Sequence, residues 1–83
     1  MTNEAPPADV EALVLEAFIR VMGQAPPRGE QTEPRDVDTW TSLTHIHLIA
    51  EIEDLLGTEL PQDVLVSMGS FGELVRAASA AVR

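Results

Sequence analysis

The sequence predicts an all-α fold, a small bundle of three to four helices with a long first loop. Three segments repeat apolar residues at spacings of three and four, the period of a helix with one buried face. No segment alternates apolar and polar residues as a half-buried strand does, and no internal repeat is present. The 83 residues, 45% of them hydrophobic, are enough for one domain with a single core.

The first helix is expected from Asp9 to Met22. Asp9 is suited to cap the helix start and Gly23 to end the helix. Residues 1–8 are expected to form a flexible N-terminus ahead of a single domain of residues 9–83. The apolar face of this helix consists of Val10, Leu13, Val14, Ala17, Phe18 and Val21.

Residues 23–39 predict a long loop, because they contain three prolines and almost no apolar residue. Loops longer than about 12 to 15 residues are uncommon in compact domains and are usually functional or disordered. Val37 and Trp40 are the residues expected to anchor this loop in the core.

The second helix is expected from Ser42 to Leu56, with Thr41 as its N-cap and Gly57 as its end. It carries two apolar stripes. A continuous stripe suited to the core consists of Leu48, Ile49, Ile52, Leu55 and Leu56. A second stripe, rotated from the first and adjoining Ser42, consists of Leu43, Ile46 and Ala50. Such a helix is either deeply buried or offers one stripe to a partner.

The rest of the chain predicts a short helix and a final helix. One or two turns are expected over residues 62–68, with Pro61 near the start and Gly69 as the breaker. Ser70 and Glu73 have the spacing of a capping box, which predicts that the last helix starts there. The apolar face of the last helix consists of Leu74, Val75, Ala78 and Val82.

Composition excludes several function classes. The formal net charge of −9 argues against nucleic-acid binding, which needs a basic surface. No cysteine is present to make a disulfide or a thiolate metal site, and no lysine to form a Schiff base. Neither a signal peptide nor a membrane-spanning run is evident. We therefore expect a cytoplasmic protein that contacts neither membrane nor nucleic acid.

No catalytic or metal site is expected. Ser42, His45 and either Asp36 or Asp38 could imitate a catalytic triad, but no oxyanion-forming glycine motif accompanies them. His45 and His47 are two residues apart, so on a helix they point in different directions and cannot share a metal ion. We expect both histidines to be solvated or packed at an edge.

The segment from residue 40 to residue 61 resembles the signature of acyl and peptidyl carrier proteins. In that family a Ser-Leu pair opens the second helix and a Gly-x-Glu-Ile/Leu-Pro turn follows it. The matching residues here are Ser42-Leu43 and Gly57-Thr58-Glu59-Leu60-Pro61. The resemblance implies the carrier-protein bundle. It also implies that Ser42, flanked by Thr41 and Leu43, receives a 4'-phosphopantetheine arm.

The resemblance also implies the partners. A phosphopantetheinyl transferase would move the arm from coenzyme A to Ser42. A loading enzyme would attach an acyl or aminoacyl group to the arm as a thioester, for downstream synthase or tailoring enzymes. The chain would be a monomeric shuttle and not an enzyme. The residues implied to bind partners are Leu43, Thr44, Ile46, His47, Ala50, Glu53 and Asp54.

Three positions depart from the fatty-acid carriers, which place acids just before the serine and two and five residues after it. This chain has Thr41, Thr44 and His47 there. The pattern Trp40-x-Ser42-Leu43-x-His45 instead resembles the Trp-Asp-Ser-Leu-x-His form of stand-alone carriers in polyketide or nonribosomal-peptide biosynthesis. Because the family usually has Asp where Thr41 stands, the alternative is an unmodified carrier-like module that only binds another protein.

Overall fold

A computed structural model describes residues 7–82, with side chains from residue 10 onward, and this part of the chain contains helices but no strand. The predicted all-α bundle of three main helices and a short one is confirmed. Its helices are α1 (Pro7–Met22), α2 (Ser42–Leu56), α3 (Gln62–Ser67) and α4 (Phe71–Ala81). None of these helices is both long and apolar enough to cross a bilayer.

Helix α1 begins at Pro7, so the prediction that Asp9 caps it was wrong. Proline suits the first helical position because its missing N–H would have no intrahelical partner there. Residues 1–6 of the predicted flexible N-terminus lie outside the described residues. The predicted end is confirmed. Gly23 adopts φ +82 and donates its N–H to the Ile19 carbonyl at 2.8 Å.

Helix α2 begins with a capping box made by two threonines. Thr41 Oγ1 accepts from the Thr44 N–H at 3.2 Å, and Thr44 Oγ1 accepts from the Thr41 N–H at 2.7 Å. These bonds satisfy two donors at the helix start. The predicted N-cap at Thr41 and the predicted end at Gly57, with φ +71, are both confirmed.

The core is centred on Phe18 of α1. Its ring packs edge-on against Trp40 at 5.2 Å and against Phe71 at 5.3 Å between centroids. These three residues are the only Phe, Tyr or Trp side chains in the sequence, and all are buried. Because they come from α1, from the residues before α2 and from α4, one cluster joins three parts of the fold.

The predicted core residues divide into buried and half-buried positions. The two loop anchors and much of the α2 core stripe are buried, namely Val37, Trp40, Leu48, Ile49 and Ile52. Five further members of the predicted faces are only half-buried, namely Leu13, Val21, Leu55, Leu56 and Val75. Val82, which follows the end of α4 at Ala81, is exposed, contrary to prediction.

The long loop contains two 3-10 turns that were not predicted, Gly29–Gln31 and Pro34–Asp36. Thr32, between them, is fully buried. Its Oγ1 accepts from the Arg28 N–H at 2.7 Å, and its carbonyl accepts from the Phe71 N–H at 2.8 Å. The first bond closes a turn within the loop, and the second attaches the loop to the start of α4.

Helix α3 ends at Ser67, and Met68, not Gly69 as predicted, follows it as the C-cap in the left-handed conformation with φ +45. The carboxylate of Glu73 lies over Gly69, where an added Cβ would displace it. Helix α4 starts where predicted, since Ser70 Oγ accepts from the Glu73 N–H at 3.3 Å.

One arginine connects α1 and α2 at the surface. Arg20 donates to Glu51 at 2.8 Å and to Glu16 at 2.6 Å. The hydrogen bond to Glu51, followed by the negative charge of Glu16, raises the pKa of the Arg20 guanidinium. Because the pair is exposed to solvent, it adds little to the stability of the bundle.

Candidate functional site

Ser42 is the first residue of α2, and its side chain is exposed. Its Oγ lies 3.9 Å from Met68 Sδ, the distance of a weak O–H···S contact. Thr41, not Ser42, caps the helix, so the serine hydroxyl is not needed to satisfy a backbone group. The hydroxyl is therefore accessible to a modifying enzyme.

The start of α2 also suits a negatively charged group on Ser42. The first N–H groups of a helix point outward without an intrahelical acceptor, and the helix dipole places partial positive charge there. A phosphate attached to Ser42 would lie beside these groups. Such an arrangement contributes about 0.3 to 1 kcal/mol when it is exposed to solvent.

The second apolar stripe of α2 is exposed, as predicted. Leu43 and Ile46 are more than half exposed, and Ala50 one turn further is exposed as well. His47 and Asp54 lie on the same side of the helix and are also exposed. The predicted role of these five residues in binding a partner stays a prediction.

Two other predicted partner-binding residues make bonds within the chain. Thr44 Oγ1 completes the capping box and donates to the Thr39 carbonyl. The Glu53 carboxylate accepts from the Leu60 N–H at 2.9 Å and so fixes the turn after α2. Both side chains are half-buried. Each of these side chains therefore has a structural role in addition to its predicted contact with a partner.

Helix α3 contributes a second wall beside Ser42, which was not predicted from the sequence. We call the surface depression between α2 and α3 the Ser42 groove. It is lined by Ser42, Ile46, Gln62, Asp63, Leu65, Val66 and Met68. Val66 is 74% exposed. The sequence does indicate an exposed apolar residue on α3, because three consecutive apolar residues on a six-residue helix cannot all face inward.

His45 is buried, with 1% of its surface exposed, so the prediction that it is solvated or at an edge was wrong. It lies one turn before Leu48 and Ile49 and belongs to the core stripe. Trp40 donates its indole N–H to His45 Nδ1 at 3.0 Å, and His45 Nε2 lies 3.0 Å from the Val64 carbonyl. A neutral imidazole with its proton on Nε2 satisfies both contacts. His47 is exposed, as predicted.

The structure does not bring together a catalytic triad. Both ring nitrogens of His45 are engaged by Trp40 and Val64, so neither is free to take a proton from Ser42. Asp36 instead accepts from the Glu33 N–H at 2.9 Å in the loop. Within residues 7–82 no three His, Cys, Asp or Glu side chains are close enough to hold a metal ion.

The sequence around the Ser42 groove is strongly acidic. Residues 36–75, which include α2 and α3, contain eight Asp or Glu residues and neither Lys nor Arg. Five of these acids are exposed, among them Asp54 of α2 and Asp63 of α3. A partner that approaches this face is therefore expected to present a basic surface.

Compared with models of protein families, with curated proteins and with solved structures, the chain matches none. The functional assignment therefore rests on the residues around Ser42 and on the geometry of the Ser42 groove.

Proposed function

We propose that this protein is a stand-alone carrier that holds acyl or aminoacyl groups as thioesters on a 4'-phosphopantetheine arm at Ser42. It would act in the cytoplasm as a monomer. A phosphopantetheinyl transferase, a loading enzyme and downstream synthase or tailoring enzymes would be its partners. The protein itself would be a substrate and shuttle.

The attachment chemistry requires little of the chain itself. The Ser42 oxygen would form a phosphodiester with the phosphopantetheine phosphate as the pyrophosphate bond of coenzyme A breaks. Adenosine 3',5'-bisphosphate would leave, and a base of the transferase would take the hydroxyl proton. The chain has to offer an accessible hydroxyl and a surface that the transferase recognises. The arm would supply the thiol, which a chain without cysteine lacks.

One observation carries the proposal: Ser42 is an exposed hydroxyl at the start of α2, next to an exposed apolar stripe. Its Oγ makes only the weak contact to Met68 Sδ, and the helix cap belongs to Thr41. A serine needed for the fold would be expected to cap the helix or to be buried. The position of Ser42 supports a role in modification.

The pathway class follows from the same segment. The acids that fatty-acid carriers place around the serine are replaced by Thr41, Thr44 and His47. We therefore assign the carrier to polyketide or nonribosomal-peptide biosynthesis, in line with the Trp40, Ser42 and His45 pattern.

The test is intact-mass measurement after incubation with a promiscuous phosphopantetheinyl transferase and coenzyme A. We expect the mass of one phosphopantetheine group to be added, and peptide mapping to locate it on Ser42. An unchanged mass with an active transferase, verified on a known carrier, would contradict the proposal. That result would favour the alternative that Thr41 motivates, an unmodified module that only binds another protein.

Replacing Thr41 with aspartate is expected to speed arm transfer. Asp also caps helices, so α2 should still begin at Ser42, and the added charge restores the acid usual in carrier proteins. One partly exposed charge contact to the transferase corresponds to a gain of up to about tenfold in rate. Initial rates at low and high salt measure the effect. An electrostatic gain must shrink at high salt.

The matched control for this variant is Thr41→Asn, because Asn caps a helix as Asp does but carries no charge. We expect Thr41→Asn to be modified at the wild-type rate. Equal acceleration by Asp and Asn would assign the effect to helix capping and would contradict an electrostatic origin.

Replacing Ile46 with glutamate is expected to weaken turnover by partner enzymes with little loss of stability. Ile46 is 51% exposed and lines the Ser42 groove, so the change removes apolar contact area from the proposed docking surface. Loss of one interface residue of this kind raises the KM for the carrier by about fivefold to tenfold. Exposed substitutions usually change the free energy of unfolding by about 0.5 kcal/mol or less.

The matched control is Ile19→Glu, which makes the same substitution at a residue of α1 that is 43% exposed and does not line the Ser42 groove. We expect partner KM to be unchanged in this variant. A similar rise in KM for both variants would place the docking surface elsewhere.

A further inference from the structure

Helix α3 is the least buried helix of the described bundle. None of its six residues is buried, whereas α2 and α4 each contribute several fully buried side chains. Val64 and Leu65 are half-buried against the core. A helix of this length is not stable by itself in water. Its position therefore depends on the few contacts that tie it to the rest of the fold.

A partly buried hydrogen bond between His45 and Val64 joins α2 to α3. His45 Nε2 donates to the Val64 carbonyl at 3.0 Å. The indole N–H of Trp40 fixes the direction of that bond, because its donation to Nδ1 leaves the ring proton on Nε2. The three residues thus form a chain of hydrogen bonds that runs from the end of the loop through α2 to α3.

The same end of α2 meets α3 at a second point. Ser42 is one helical turn before His45, and its Oγ touches Sδ of Met68, the C-cap residue of α3. His45 therefore holds α3 at Val64, and the last residue of the held segment forms the wall beside Ser42. Displacement of α3 would remove Leu65, Val66 and Met68 from the Ser42 groove together.

We propose that His45 is a positioning residue that holds α3 against α2, and that it thereby assembles the surface a modifying enzyme recognises around Ser42. The recognition of this surface by a modifying enzyme rests on the proposed carrier function. When the bond to Val64 is lost, only a fraction of molecules has the groove assembled. The apparent affinity of a partner falls in proportion to that fraction.

Two variants separate the two hydrogen bonds of His45. In His45→Asn, the amide oxygen can occupy the position of Nδ1 and accept from Trp40, but the side chain is too short to reach Val64. In His45→Gln, the longer side chain brings an N–H donor near the position of Nε2. Gln is therefore the matched control for Asn. Ile52→Ala, buried on the same helix but not lining the Ser42 groove, controls for loss of stability alone.

The first measurement is amide hydrogen exchange of α3, residue by residue, at a temperature where all variants are folded. Loss of one buried hydrogen bond is expected to speed exchange in α3 by about threefold to tenfold in His45→Asn. His45→Gln and Ile52→Ala should exchange in α3 as the wild type does. Equal α3 exchange in His45→Asn and His45→Gln would overturn the positioning role.

The second measurement is steady-state arm transfer by a promiscuous transferase. We expect the KM for His45→Asn to rise by up to about tenfold with kcat unchanged, and His45→Gln to restore it. A wild-type KM in His45→Asn together with faster α3 exchange would overturn the link to recognition. If the wild-type protein takes up no arm, the carrier function fails, and the exchange comparison alone decides the role of His45.

If His45→Asn does not fold, a measurement on the wild-type protein tests the hydrogen bond from His45 to Val64. The imidazole 15N chemical shifts should show a neutral ring with a slowly exchanging proton on Nε2. A proton on Nδ1 is incompatible with the bond from Trp40 and would overturn the proposal.

Discussion

The Ser42→Ala variant is expected to fold as the wild type does and to take up no phosphopantetheine. The substitution removes the acceptor oxygen and one weak contact to Met68, while the cap of α2 remains with Thr41. The free energy of unfolding should change by about 0.5 kcal/mol or less, as for other exposed positions. Intact mass after incubation with transferase and coenzyme A, together with a thermal melt followed by circular dichroism, measures both effects.

Two other serines provide controls for the site. Ser67 is exposed at the end of α3, and Ser70 caps α4 by accepting from the Glu73 N–H. Ser67→Ala and Ser70→Ala should both be modified, although loss of the cap at Ser70 should cost about 1 kcal/mol of stability. Attachment of the arm to the Ser42→Ala variant at either serine would contradict the assignment of Ser42.

The Phe18→Ala variant is expected to lose about 3 to 5 kcal/mol of stability, as Phe-to-Ala changes in buried cores do. Phe18 is fully buried and holds both edge-on aromatic contacts, to Trp40 and to Phe71. Its removal leaves a cavity where α1, the loop and α4 meet. Because small domains are stable by about 5 to 15 kcal/mol, this variant should be close to unfolding. Urea denaturation of both proteins measures the difference.

Leu15→Ala is the matched control for this core variant. It also shortens an apolar side chain of α1, but Leu15 is exposed. The expected loss is within about 1 kcal/mol. A loss below about 2 kcal/mol for Phe18→Ala would contradict the central role of the aromatic cluster.

The main helices could be predicted because their signals are local. In α2, the spacing of Leu48, Ile49 and Ile52 defines a buried face, and Thr41 and Gly57 mark the two ends. Both ends are confirmed to the residue. The exposure of Ser42 and of the neighbouring apolar stripe could be predicted for the same reason. This stripe is rotated around the helix from the stripe that faces the core, so it faces away from the core.

The burial of His45 could not be predicted from local patterns. This histidine lies on the buried face of α2, but a polar side chain is buried only when partners satisfy it. Those partners are the indole of Trp40 and the carbonyl of Val64, which lies 19 residues away in the chain. The position of that carbonyl depends on how α3 folds back, and no local pattern contains this information.

Thr32 is a second example. It has no apolar neighbours in sequence that would mark it as buried, and its carbonyl accepts from the Phe71 N–H of α4. A contact between distant segments, which no local propensity encodes, therefore accompanies its burial. Gly69 was predicted to end α3, whereas Met68 takes that place in the left-handed conformation.

The buried Trp40 gives the protein an intrinsic fluorescent probe. It is the sole tryptophan in the sequence, and its indole N–H is bonded to His45 inside the core. Intrinsic fluorescence excited at the red edge of protein absorption therefore originates from one site, with neither tyrosine nor a second indole to obscure it. That site lies where the loop, α1 and α2 meet, three residues along the chain from the exposed face of Leu43. Docking of a partner that disturbs this junction should therefore change the tryptophan fluorescence. No dye has to be attached to the acidic surface.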